Sequence, residues 1–174
     1  MMKGMISYIL LCFIGFLLAD ESINIPKAIT AGDPSKFMFH ESFKNISSAS
    51  TSSDWVMYKQ CDSRWGGNQL GYCAGTNVCA AGCAMSSVAM MLASKGVGLD
   101  PGSLNSWLIS NGGYADGCDI IWSVPDGWGV TSFQGIETAN ESEICNGLAQ
   151  GHGIIANVMN GGHWVLLTGI YLLS

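Results

Sequence analysis

The sequence predicts an α+β domain, because helical patterns come first in its cysteine-rich part and an antiparallel hairpin closes it. Helices followed by a separate antiparallel sheet are typical of this class. Of the 174 residues, 48% are hydrophobic and 11% are charged. Such a chain can bury a core, which excludes a disordered polypeptide.

Three segments are expected along the chain. Residues 1–19 have the layout of a secretory signal peptide: a positive start, an apolar run and a small residue, Ala19, before acidic residues. The run is short for a membrane span of about 20 residues, and an uncleaved anchor is the alternative. Residues 20–54 are a polar lead-in, either a linker-like unstructured flank or a short propeptide. Residues 55–174 form the domain.

The charge balance excludes several partners. The net charge is −6 and becomes −7 when Lys3 leaves with the signal peptide. No basic patch is present, so nucleic acid and anionic membranes are poor partners. We expect no stable membrane association after cleavage, and a protein that is secreted or lies in the lumen of the secretory or lysosomal pathway. Asn45 and Asn140 each open an Asn-x-Ser motif, the acceptor of N-linked glycans in a eukaryotic secretory path.

The cysteines predict disulfides. Seven are present, and Cys12 lies in the predicted signal peptide. In a secreted chain the other six favour a disulfide framework whose pairing the sequence leaves open. If Cys83 stays free for chemistry, an odd number remains, so one more is free or pairs with another chain. The six cysteines are Cys61, Cys73, Cys79, Cys83, Cys118 and Cys145.

The first elements of the domain are a loop and a buried helix. Cys61–Ala81 is rich in Gly, Asn and Cys, which predicts a long loop held by disulfides. Cys83–Ser94 is apolar on most sides, which indicates a buried helix. A second helix is predicted over Pro101–Ser110, with Asp100 as its N-cap.

The remaining elements are a third helix and a hairpin. Asn140 and Glu143 resemble a capping box for a helix that runs through Gln150. Gly153–Met159 is a candidate strand. A tight Asn-Gly-Gly turn leads into the returning strand, His163–Leu173.

Two residues carry candidate chemistry. Cys83 opens the buried helix, where unpaired N–H groups stabilise a thiolate whose ordinary pKa is about 8.5. His163 follows two glycines, which leave room for a substrate chain, and an imidazole can take the thiol proton and pass it to a leaving group. Alone, such a cysteine is more often half of a disulfide and such a histidine more often a turn residue. Together they favour a nucleophile and base.

The chain resembles the bacteriocin-processing-peptidase-like branch of the papain-like cysteine peptidases. The resemblance lies in Gln60-Cys61-Asp62-Ser63-Arg64-Trp65, in Ala81-Gly82-Cys83-Ala84-Met85-Ser86 and in Gly161-Gly162-His163-Trp164-Val165-Leu166. It implies a papain-like α+β fold whose nucleophile-bearing helix packs on an antiparallel sheet, and hydrolysis of amide bonds in a peptide or protein substrate without a cofactor. It implies Cys83 as nucleophile, His163 as base, and Gln60 as the side-chain donor of the oxyanion hole beside the Cys83 N–H.

The chain also departs from this family. Gln60 lies 23 residues before Cys83, farther than in plain papain-type enzymes, and an ordinary surface glutamine is its alternative. Cys79 is expected to bridge to Cys61 or Cys73. Family members continue past the histidine strand to an Asp or Asn that orients the imidazole. We therefore expect a C-terminally truncated domain, with either a longer gene product or a weak or inactive enzyme, unless the hairpin brings Asn157 or Asn160 to His163.

Other functions stay open. The same two residues fit a peptidoglycan amidase or endopeptidase, and the cysteines alone fit a catalytically dead, disulfide-stabilised extracellular binding module. His152 is expected to interact favourably with the helix dipole at the end of the third helix. His40 lies in the lead-in. Three scattered histidines predict no zinc site, and no Gly-rich run predicts a nucleotide site.

Overall fold

The computed structural model describes residues 12–16, 36–42, 55–138 and 140–172. The predicted cleavage after Ala19 and the Ser/Thr-rich stretch at 45–53 lie outside them. Within the described residues the fold is a mixture of helices and an antiparallel sheet, which confirms the α+β class.

The main sheet has five strands in the order β1-β7-β6-β2-β5, and every neighbouring pair is antiparallel. A separate hairpin pairs β3 with β4. The strands, numbered in chain order, are β1 Cys12–Phe16, β2 Lys36–Ser42, β3 Tyr114–Ala115, β4 Asp119–Ile120, β5 Thr131–Thr138, β6 Gly153–Val158 and β7 His163–Leu172.

The three predicted helices are present with bounds close to those expected. They are α2 Cys83–Ser94, α3 Pro101–Ser110 and α4 Glu141–Ala149. A one-turn helix α1, Val78–Ala81, precedes α2, and a 3-10 helix spans Val124–Trp128. Neither short element was predicted, and α1 forms the last turn of the segment Cys61–Ala81, which was predicted to be a loop throughout.

The helix ends form where the capping residues predict them. Asn140 accepts hydrogen bonds from the backbone N–H groups of Ser142 and Glu143 and so begins α4. At α3, Asp100 Oδ1 accepts from the N–H of Ser103 while the Ser103 hydroxyl accepts from the N–H of Asp100, both at 2.8 Å. This reciprocal pair satisfies two donors that a helix start otherwise leaves unpaired.

The β6–β7 hairpin lies between two helices, with one core on each face. On one face Ile155 and Leu166 belong to a cluster that includes α2 residues such as Val88. On the other face Val165 and Leu167 pack with side chains of α4. Because successive side chains of a strand point to opposite faces, β7 contributes to both cores.

Two strands of the main sheet come from parts of the chain that were predicted to lie outside the domain. β1 lies within the predicted signal peptide, and β2 lies within the lead-in and pairs with both β5 and β6. The signal peptide, the role of residues 20–54 and the domain boundary at 55 stay predictions. β5 was not predicted at all, because its partner β2 is far away in sequence and no local pattern indicates that pairing.

Disulfides hold the long loop, as expected. Cys61 bonds to Cys79 and Cys73 bonds to Cys118, which confirms the expectation that Cys79 pairs with Cys61 or Cys73. Cys145 is also disulfide-bonded. Of the cysteine side chains that the structure describes, Cys83 is the free thiol.

The α3 cap gives a stability prediction. We expect Asp100→Ala to lower the free energy of unfolding by about 1 kcal/mol, because the N–H of Ser103 loses its acceptor. Asp100→Asn keeps an acceptor oxygen and serves as the control, with a much smaller loss. Urea denaturation of the three proteins measures the difference, and equal losses in both variants would contradict the role of the cap.

Candidate functional site

Cys83 begins the central helix. It is the first residue of α2, is half-buried and has a free thiol. The N–H of Ser86 donates to the carbonyl of Gly82 at 2.8 Å and is the first N–H bonded within this helix start. The N–H groups of Cys83, Ala84 and Met85 come before it, so they are the orphan donors of a helix N-terminus. A thiolate or a developing oxyanion at this end is stabilised by these donors and by the helix dipole.

Gly82 is required by packing rather than by its backbone angles. A Cβ built there lies 2.6 Å from the carbonyl oxygen of Val78 and 3.0 Å from its Cα. A glycine before a nucleophile can leave room for a substrate chain, but here α1 occupies the space beside Gly82. The Gly82 N–H donates to the Val78 carbonyl of α1 at 2.8 Å.

Gln60 is joined to the segment that leads into Cys83. Its Nε2 donates to the carbonyl oxygens of Val78 at 3.0 Å and of Cys79 at 2.8 Å. The adjacent Cys61–Cys79 disulfide fixes the same two chain segments. Both amide hydrogens of Gln60 are therefore engaged with α1, and donation to an oxyanion requires one of them to be released. The assignment of Gln60 to the oxyanion hole stays a prediction.

His163 lies at the same end of the sheet as Cys83. Near the start of α2, the Ser87 hydroxyl donates to the carbonyl of Trp164 at 3.4 Å. Just beyond the end of α2, Lys95 Nζ donates to the carbonyl of Gly151, shortly before β6 begins. Since β6 and β7 are antiparallel, these two contacts mean that α2 runs in the same direction as β7. The N-terminal end of α2 therefore lies toward the start of β7.

The two side chains nevertheless belong to different faces of the sheet. His163 pairs with Val158, which packs against the α4 core, and Trp164 packs against the α2 core. Strand alternation thus assigns His163 to the α4 face, whereas Cys83 is carried by the helix on the opposite face. No hydrogen bond between Cys83 and His163 is found among the described residues. The starts of α2 and β7 therefore lie at the same end of the sheet, but the thiol and the imidazole do not form the predicted pair in this structure.

Burial sets the protonation of His163. The ring is half-buried, and desolvation lowers its pKa below the ordinary value of 6.5. The neutral imidazole is therefore favoured at neutral pH. Such a group is suited to accept a proton as a general base, and it differs from the imidazolium of a preformed thiolate ion pair.

The two asparagines considered as orienting groups lie at the hairpin turn. Asn157 is opposite Trp164 in the sheet register, so it is on the face that His163 does not share. Its Nδ2 donates to the carbonyl of Gly161 at 3.4 Å. Asn160 is a turn residue with φ of 54°, between Met159 at 54° and Gly161 at 91°. In this arrangement Asn157 supports the turn rather than the imidazole.

The tryptophan side chains lie in the α2 core or pack against it. Trp164 packs against Trp122 with ring centroids 5.0 Å apart, and Trp107 packs against Trp128 at 5.2 Å.

The other two histidines lie outside the site. The backbone N–H of His152 donates to the carbonyl of Gly147 at the end of α4, a structural position. Nothing is described of the side chain of His40.

One contact of the site was missed by sequence reasoning. Ser87 lies one helical turn after Cys83 and links α2 to the backbone beside His163. Its only signal in the sequence is a polar residue four positions after the candidate nucleophile, which many buried helices share.

Comparisons of the chain with protein-family models, with curated proteins and with solved structures found no match. Among the described residues, no group of three or more His, Cys, Asp or Glu side chains is placed to hold a metal ion. No helix in the described ranges has the length and apolar character needed to cross a membrane.

The close packing at Gly82 gives a second prediction. We expect Gly82→Ala to destabilise the protein by about 1–3 kcal/mol, because the new methyl group overlaps the Val78 carbonyl. It should also change the rate at which Cys83 is alkylated, since α1 and the start of α2 must move apart. Gly98→Ala is the matched control, because its Cβ meets nothing within 4 Å. Equal stability of the two variants would contradict this account.

The burial of His163 gives a third prediction. We expect an NMR titration to place its pKa below 6.5, with the same value in Cys83→Ala, because burial and not the thiol causes the shift. The unfolded chain then binds more protons than the native state below about pH 6.5, so the contribution of His163 to stability falls as the pH drops through that range. A pKa above 6.5 that falls in Cys83→Ala would instead indicate a thiolate–imidazolium pair.

Proposed function

We propose that this chain is a thiol hydrolase of the papain-like kind that cleaves peptide bonds with Cys83 as the nucleophile. The observation that carries the proposal is a free thiol at the N-terminus of the central buried helix, although the surrounding loop uses its cysteines in disulfides. In a secreted protein a cysteine left outside the disulfides is a candidate reactive thiol. The backbone N–H groups of a helix start can also donate hydrogen bonds to a sulfur or oxygen anion that forms there.

The helix start supplies a second part of the chemistry. When the thiolate attacks the carbonyl carbon of an amide, negative charge develops on the carbonyl oxygen. The unpaired N–H groups at Cys83 and Ala84 can stabilise that charge, because they are fixed donors that need no rearrangement. Gln60 becomes a further donor if it releases the Val78 or Cys79 carbonyl, the bonds that hold it in this structure.

His163 is proposed as the base. A neutral imidazole can take the thiol proton and later give it to the departing amine. This role requires the His163 side chain to move from the α4 face of the sheet to the α2 face. The turn before it consists of residues 159–162, of which Met159, Asn160 and Gly161 have positive φ. We therefore propose that substrate binding rearranges this turn and brings the imidazole to the thiol.

The substrate is proposed to be a peptide or protein outside the cell or in a secretory lumen. Two disulfides among the described residues fit an oxidising setting. A peptidoglycan amide is the alternative substrate for the same chemistry, and digestion of purified cell wall beside a protein substrate separates the two.

A non-catalytic binding module is the second candidate function. The observation that favours it is the separation of Cys83 and His163 onto different faces of the hairpin. A dead module would retain the disulfides and the helical core while its thiol showed ordinary reactivity.

The reactivity of Cys83 separates these two functions. For a hydrolase we expect iodoacetamide to label Cys83 in the non-reduced protein, and we expect the label to abolish peptide hydrolysis. Cys83→Ala should have no turnover, because the nucleophile is lost. A protein whose Cys83 is labelled but which hydrolyses no peptide or cell-wall substrate, before or after labelling, would favour the binding module.

Gln60 is tested on the same assay. If it donates to the oxyanion, Gln60→Ala should lower turnover by about 10²- to 10³-fold. Alkylation of Cys83 needs no oxyanion hole, so its rate should stay close to that of the parent protein. If the alkylation rate and the stability fall together with turnover, Gln60 acts by holding α1 through the Val78 and Cys79 carbonyls.

A further inference from the structure

The start of α4 carries a feature that the proposed function does not use. Asn140, Glu141 and Ser142 form an Asn-x-Ser motif, and all three residues are exposed. They lie at the N-terminal end of a helix that is attached to the hairpin by Ile144 and Leu148. The motif is therefore presented to solvent at the end of a packed element.

The cap geometry separates the two polar atoms of the Asn140 side chain. Oδ1 accepts from the N–H of Ser142 at 3.0 Å and from the N–H of Glu143 at 3.4 Å. Nδ2 makes no hydrogen bond within the described part of the chain, and neither does the Ser142 hydroxyl. The oxygen is used to hold the helix, while the nitrogen and the hydroxyl of the motif are free.

We propose that Asn140 is an N-glycosylation site. In this reaction an oligosaccharide is transferred from a polyprenyl-diphosphate carrier. The bond between its anomeric carbon and the diphosphate oxygen breaks, and a bond from that carbon to Nδ2 forms. One amide proton is lost, and the diphosphate is the leaving group. The modification requires passage through a eukaryotic secretory pathway. The predicted signal peptide is the segment that would direct the chain into a secretory pathway.

The structure accommodates the product without loss of the helix cap. The sugar bonds to Nδ2, so Oδ1 keeps its two backbone donors. The core contacts of α4 begin at Ile144, on the buried side of the helix. A glycan on Asn140 therefore extends into solvent and displaces no core side chain.

Secretion of the full chain from a eukaryotic cell line tests the proposal. An Asn45→Gln background removes the other Asn-x-Ser motif, so any N-glycan reports on Asn140. We expect an intact mass that includes a glycan, and release by a peptide-N-glycosidase that leaves aspartate at position 140. Two variants in that background should lack the glycan and still fold. Ser142→Ala removes the hydroxyl of the motif, and Asn140→Asp keeps a capping oxygen but removes the acceptor amide.

The opposite results are equally distinct. A secreted protein with its disulfides formed and Asn140 unmodified would overturn the proposal, as would a full-length chain that stays unmodified inside the cell. A mass increase that persists in both variants would place the modification elsewhere and overturn it as well. None of these outcomes depends on hydrolysis by Cys83.

Discussion

The packing of α2 along β7 is the constraint on which the candidate site depends. Ser87 contacts the carbonyl of Trp164 near one end of the helix, and Lys95 contacts the carbonyl of Gly151 just beyond the other. Between them lies a core in which Val88 and Leu92 are completely buried. This packing directs the N-terminus of α2, and with it Cys83, toward the β6–β7 turn. A helix packed in the opposite direction would separate the thiol and the imidazole by the length of the sheet.

The Gln60 segment depends on the same helix start. Residues 59–61 are tied to α1 by the Cys61–Cys79 disulfide and by the two hydrogen bonds of Gln60. Because Gly82 allows α1 to pack directly against the start of α2, these bonds restrain the backbone on the N-terminal side of Cys83. Without the hydrogen bonds of Gln60, the disulfide alone would join this segment to α1. The engaged amide gives Gln60 a structural role in holding α1.

Elements with local signals could be predicted from the sequence. Asp100 and Asn140 mark helix starts through side chains that bond within three residues, and the apolar run after Cys83 marks α2. The pairing of β2 with β5 could not be predicted, because Lys36 and Thr138 are neighbours only in the folded chain. The disulfide partner of Cys61 was undetermined for the same reason. For the site, the sequence located Cys83 and His163 at the correct ends of their elements but not the face of His163.

The face of His163 was hidden because both faces of β7 are buried. Val165, Leu166 and Leu167 are 2%, 0% and 0% exposed, so the strand shows no alternation of apolar and polar residues. In a hairpin the register is then fixed by the length of the turn. Here residues 159–162 connect the pair Val158 and His163. A slip of one residue would exchange the α2 and α4 faces along the whole of β7, which is far costlier than moving its first residue. Any movement that brings the imidazole to Cys83 is therefore confined to residues 159–163. The backbone of Met159, Asn160 and Gly161 has positive φ angles, and hairpin turns of different types differ in these angles.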